Sequence, residues 1–237
     1  MSIETLNVVF ENILSLRKEA KSLARRKNAS LCAHVTIAAR EETSKYLMLY
    51  CKQHLPPDIF KRRFQHLPKH KLSGAAYHIS GQISVVHFIE VAGEIAGEHE
   101  AGQAIRRLSS AVMFLLDRGN PEKTAEVILT LIREHEDPRI ELMRKQHAAE
   151  IERHRTTSIY VDVDDDLEVK SKPTDITMDI AKEYLDGLDV GIAALMFIRD
   201  PSMTTHQYSL LLPPTARRLF KGEINRFVRK WRRDFNV

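Results

Sequence analysis

Between Ala29 and a Pro56-Pro57 stop lies one uninterrupted helix-compatible run, and its middle reads Arg40-Glu41-Glu42-Thr43-Ser44-Lys45. At 3.6 residues per turn, Leu31, Val35, Ala38, Glu42, Lys45 and Leu49 fall on one face. That stripe predicts a helix buried in a bundle with a charge pair on its apolar side. Ions taken out of water cost several kcal/mol each unless paired and hydrogen-bonded. Such a pair either organises the core of the bundle or marks a core built around a site.

The rest of the chain agrees with a bundle. Of 237 residues only nine are glycine and nine proline. A chain rich in Ala, Leu, Ile, Glu, Lys and Arg favours helix throughout, and the expected class is all-α. Val9, Ile13, Leu16, Ala20 and Leu23 give a first helix over about Ser2–Lys27 a single buried face. Asn28 stands as a cap or turn residue before the second helix.

A basic segment from Ile59 to Leu67 ends at Pro68, and a long helical stretch follows from about Lys71 to Asp117. Its Gly74, Gly81, Gly93 and Gly97 suit close helix packing. Gly119-Asn120-Pro121 is a stop and restart, leading to helices over about 122–134 and 137–155. Ser158-Ile159-Tyr160-Val161-Asp162-Val163 alternates and favours a short β arm. Thr177–Ile198 reads as a helix, 200–214 as a loop, and Thr215–Phe235 as an amphipathic helix with Phe220, Ile224, Phe227 and Trp231 on one side. The expected organisation is a helical domain over residues 1–200, followed by a loop and basic helix over 201–237 packed on or next to it.

The net charge is +4, but its distribution matters more. Eight basic residues lie between Arg217 and Arg233 against one acid, Glu223. This face suits RNA backbone, an acidic partner, an interfacial position or plain solvation, with Arg226, Arg229 and Arg233 as phosphate-binding candidates. Cys32 and Cys51, on one helix, sit roughly 28 Å apart, too far for a disulfide. Reduced thiols, no apolar run long enough for a bilayer and no basic-then-apolar leader after Met1 predict a cytoplasmic protein without a membrane partner. No Gly-rich phosphate loop, Cys-x-x-Cys pair, His-Glu-x-x-His helix or Gly-x-Ser-x-Gly elbow is present, and no cofactor or metal is expected.

Three segments together resemble the AbiV family of bacterial abortive-infection proteins, within the HEPN superfamily of helical bundles. The first is Ala29–Tyr50 with its Glu41-Glu42, two residues, then Lys45. The second is Phe60-Lys61-Arg62-Arg63-Phe64-Gln65-His66-Leu67-Pro68-Lys69-His70-Lys71-Leu72. The third is Arg155–Asp162 with its Tyr160-Val161-Asp162, then Pro173 and the Asp179–Leu185 helix. The likeness spans roughly residues 5–198.

It implies a HEPN-like antiparallel helical bundle, and an antiphage, toxin-like protein that acts on RNA. HEPN proteins are often metal-independent endoribonucleases and commonly dimers, with an arginine, four to six residues and a histidine as their usual motif. The alternative is a non-enzymatic interaction protein that binds a phage protein or the translation machinery.

Arg63…His70 and Arg199…His206 both satisfy that spacing. With 21 arginines and eleven histidines, roughly three such pairs arise by chance, so spacing alone decides nothing. His70 coincides with the His-Lys element of the second segment. Metal-independent RNA cleavage needs a base, an acid and a cation for the phosphate charge. His70 suits proton transfer, Arg63, Arg62, Lys69 or Lys71 suits the phosphate, and Glu41, Glu42 and Lys45 suit orientation of these groups. The same residues also make sense as an ion-pair cluster tying the second helix to the 60–72 segment. His34 shares a side with Glu41 and Lys45. His147, Glu150 and His154 have ligand spacing, but a solvated charged face is the expected reading. Asp162 and Asp164–Asp166 read as an exposed acidic turn rather than a Ca²⁺ loop.

Overall fold

Twenty-six residues, Ala29–His54, form the central helix α2 of the computed structural model. Asn28 caps it by accepting from the Leu31 amide at 3.2 Å, which satisfies one of the donors a helix start leaves open. The structure describes residues 3–59, 75–96, 119–133, 149–160, 162–163 and 169–235.

The other elements are α1 (Ile3–Arg25), α3 (Ala75–Ala96), α4 (Pro121–Arg133), α5 (149–157), a hairpin of β1 (Asp162–Val163) and β2 (Val169–Ser171), α6 (Met178–Arg199), α7 (Thr205–Leu211) and α8 (Pro214–Phe235). The class is all-α; of the arm expected near 158–163, only Asp162–Val163 form a strand, β1, paired antiparallel with β2, while 158–159 are a turn after α5. Among the described residues no helix is long and apolar enough to cross a membrane.

α2 is packed by α1 along one side and by α6 along another, with α4 also against it. A helix with several neighbours has no single apolar stripe, and α2 buries Cys32, Ala33, Thr36, Ile37, Ala39, Thr43, Ser44, Tyr46, Leu47, Tyr50 and Cys51. Its buried hydroxyls are satisfied locally. Thr36 donates to the Cys32 carbonyl at 2.7 Å, and Thr43 and Ser44 both donate to that of Arg40, so polar residues can face the interior without orphaned groups.

This corrects the expected face. Leu31 is 41% exposed, and the Lys45 and Glu42 side chains are 54% and 24% exposed. The charge pair sits at the rim of the bundle, so its desolvation cost largely disappears.

The larger core cluster joins Phe10 and Ile13 of α1, Tyr46 and Leu47 of α2, Ile79 and Ile83 of α3, Ile128 and Leu129 of α4, and Leu188, Leu195 and Phe197 of α6. A smaller cluster, with Leu23, Ile37, Ile151, Ile176 and Tyr184, lies between α1, α2, α5 and α6. Gly191 faces the Ala76 side chain at a distance that leaves room for little more than a methyl group, whereas Gly81 meets open space and serves no close packing.

The expected loop over 200–214 contains α7, whose start is a capping box. Thr204 Oγ1 accepts from the Gln207 amide while Gln207 Oε1 accepts from that of Thr204. Tyr208 of α7 is fully buried between Phe197 and Ser80.

Candidate functional site

Three consecutive residues of α2 turn through most of the helix circumference, and the structure uses that rotation to give each a different neighbour. Arg40 is half-buried towards α6, its guanidinium 5.5 Å from the Tyr184 ring centre. Glu41 lies near Arg155 of α5 and helps hold that guanidinium charged, behind the larger effect of Glu152, which Arg155 grips in two hydrogen bonds of 2.9 and 2.6 Å. Glu42 accepts from the Asn12 amide of α1 at 3.3 Å and pairs with Lys45 at 3.4 Å. An exposed i, i+3 pair of this kind contributes little to stability.

His34, about two turns before Glu41, is partly buried. Ser158 spends its hydroxyl proton on the Arg155 carbonyl at 2.7 Å, so His34 Nδ1 is the donor towards Ser158 Oγ at 3.2 Å. That bond ties α2 to the end of α5, and thus Glu41 to Arg155. His34 and Glu41 thus lie against the end of α5, while Glu42 lies towards α1 with Lys45 paired to it. Arg62, Arg63, Lys69, His70 and Lys71 lie outside the described residues.

A second polar chain joins α5 to α6. His154 of α5 is buried and makes a 2.8 Å hydrogen bond through Nδ1 to the Tyr184 hydroxyl, while Arg153 Nη2 stands 3.2 Å from its Nε2. A guanidinium can only donate, so Nε2 accepts and Nδ1 carries the proton given to Tyr184. Burial lowers the His154 pKa and pushes the Tyr184 hydroxyl up to about 12, so both are neutral near pH 7. His154 is therefore neither a metal ligand nor part of a solvated face: its ring points inward. His147 lies outside the described residues, and among those described no group of three donors is placed to hold a metal.

Beside this chain, α2, α6 and the start of α8 enclose a cavity of about 680 Å³, walled by Arg40, Lys182, Tyr184, Gly187, Val190 and Leu219. Its lining is mostly apolar with a few polar groups, the usual make-up of a ligand pocket. Sequence reasoning singled out the two carboxylates next to Arg40 and missed Arg40 itself as the cavity residue. The signal was in the phase of the helix, which depends on where α6 packs.

The Arg199…His206 pair is divided between neighbours. Arg199 lies 4.3 Å over the Phe10 ring and donates to Asn7 at 3.0 Å, against α1, whereas the His206 ring lies 6.1 Å from that of His87 on α3. At the C-terminus, Arg226, Arg229 and Arg233 of α8 are exposed; Arg226 pairs with Glu223 at 2.8 Å, and Arg229 donates to the Asn225 carbonyl at 3.2 Å. The side chains of Phe220, Phe227 and Trp231 lie outside the described set.

A family model described as AbiV, of the HEPN group, matches residues 1–189. No curated protein and no solved structure matches the chain.

Proposed function

Because the chain belongs to the AbiV family of HEPN proteins, we propose that this abortive-infection, HEPN-type protein is an antiphage effector that cleaves RNA without a metal and so blocks translation or phage growth. The observation that carries the reading is the family match over residues 1–189, which contains both the Glu41-Glu42…Lys45 run and the Arg63…His70-Lys71 segment. In this reading His70 moves the proton, Arg63 with Arg62, Lys69 and Lys71 binds the phosphate, and Glu41, Glu42 and Lys45 orient them. The exposed arginines of α8 hold the strand. The protein works in the cytoplasm as a homodimer, with His34, Glu41 and Lys45 of α2 at or near the subunit interface, and a phage protein is its trigger.

The test is incubation of the purified protein with total RNA and tRNA in EDTA, with and without phage lysate. Cleavage is expected to persist in EDTA and to fall about 100-fold or more in folded His70→Ala, with a smaller loss in Glu42→Ala. Absence of cleavage under every condition sinks the enzyme reading. It would favour a non-enzymatic protein that binds a phage protein or the translation machinery, a role to which the exposed basic face of α8 is also suited. A monomer by light scattering removes the shared-interface arrangement.

A further inference from the structure

The cavity between α2, α6 and the start of α8 holds about 680 Å³, within the size range of small-molecule sites, about 300–1,000 Å³. Two of its walls are fastened to each other. Thr215 donates its hydroxyl proton to the Asp186 carboxylate at 2.6 Å, which ties the first turn of α8 to α6. Val190, Pro213 and Tyr184 line the space from buried positions. Leu219 lines it too, yet is 74% exposed, the most open of the large apolar residues among those described. Apolar surface left to water in a concave site is stabilised by whatever covers it.

A cation is set into this apolar surface. Arg40 reaches it from α2, with its guanidinium 5.5 Å from the Tyr184 ring centre. On the α6 wall Gly187 puts no side chain in front of that group: a Cβ there would stand 3.8 Å from Arg40 Nη1 and would meet nothing else. A guanidinium carries five N–H donors in a fixed plane, enough for Arg40 to keep its contacts within the protein and to bind an anion in the cavity that it lines.

The charges nearer the solvent limit what that anion can be. Asp179, Glu183 and Asp186 also line the cavity, and Asp179 and Glu183 are exposed. Lys182, likewise exposed, stands 4.0 Å from Asp179. Three carboxylates against one ammonium repel a polyanion such as an RNA strand or a nucleoside triphosphate, and oppose a single negative charge far less.

We propose that this cavity binds a small organic monoanion with an apolar body, its charged group on Arg40 and its body against Tyr184, Val190 and Leu219. Such a molecule bridges α2 and α6 to α8 and fixes the base of the helix that carries the exposed arginines. The site is separate from the RNA reading and needs none of the residues to which that reading gives a role in cleavage.

The experiment uses two fluorescent probes of similar shape, anilinonaphthalene sulfonate, a monoanion, and N-phenylnaphthylamine, which is uncharged. Each is titrated into the full chain, Arg40→Gln and Gly187→Leu, with a thermal melt of every variant. The sulfonate is expected to bind the wild type at one site and to slow amide exchange over residues 215–219. Arg40→Gln should weaken it about ten-fold or more, the worth of one charge-assisted hydrogen bond, and leave the uncharged probe's affinity unchanged. Gly187→Leu should block both probes while its melting temperature holds or rises, because leucine is the better helix former and its side chain enters open space. That variant decides the matter even where Arg40→Gln fails to fold. Equal weakening of both probes in Arg40→Gln would reveal an apolar cleft without preference for an anion and overturn the proposal. So would the absence of sulfonate binding to the wild type, or binding that neither substitution disturbs. Displacement of the sulfonate by an oligouridylate would put a polyanion in the cavity and overturn it as well.

Discussion

Single residues carry the pH response. His54, His87 and His154 all have pKa values held below the ordinary 6.5 by burial. Between its folded value and 6.5 each binds more protons unfolded than folded, so stability rises with pH through that window and is full above it. The urea midpoint should therefore be lower at about pH 5 than at about pH 7.5, with the gap narrowed in His154→Gln, and a flat or reversed profile would contradict the buried, neutral rings. How much of this was legible follows from the chemistry of each residue. The importance of residues 40–45 could be read from charge in an apolar run. Which of them faces the cavity could not, because small and hydroxyl residues such as Ala33, Thr36 and Thr43 are buried where the pattern put nothing, their hydroxyls bonding back to the helix itself. His154 was misplaced for the complementary reason, since its charged sequence neighbours conceal a ring turned inward to Tyr184.

At the level of elements, the clamp between α1 and α6 is the contact most open to measurement. Arg17 and Lys21, one turn apart on α1, reach Asp189 of α6 at 2.5 and 2.9 Å, and the carboxylate side chain is only 12% exposed. Removing it leaves two cations facing a nearly closed position. Asp189→Ala should cost about 1–3 kcal/mol, between the values for exposed and buried pairs, with an unchanged urea m-value. A double-mutant cycle with Arg17→Ala that shows no coupling would refute the clamp. The long helices were legible because proline, Asn28 and Thr177 punctuate them, and α1 showed its buried stripe directly. α7 was not, since seven residues are too few for a periodic signal, although the Thr204…Gln207 spacing before Tyr208 and Leu210 spells its capping box in the sequence.

For the whole molecule, charge is unevenly spread, with the exposed arginines of α8 at one end of the chain. If they hold RNA, affinity for a single-stranded oligouridylate should fall steeply with salt. Replacing both Arg229 and Arg233 by Gln should reduce the slope of log K against log salt by roughly 1.4. Arg226→Gln should matter less than Arg229→Gln, because Glu223 already answers the Arg226 charge whereas Arg229 meets a backbone carbonyl; equal slopes for all variants would place the strand elsewhere. The family match stops at residue 189, yet Leu195, Phe197, Tyr208 and Leu212 beyond it belong to the same core cluster as Phe10 and Tyr46. The limit of the likeness is thus no limit of cooperativity: a fragment cut where it ends would leave the cluster without these side chains and without Val190, Ile192, Ala193, Ala194 and Ile198, and divergence in the tail is constrained by the parts of the bundle that it covers.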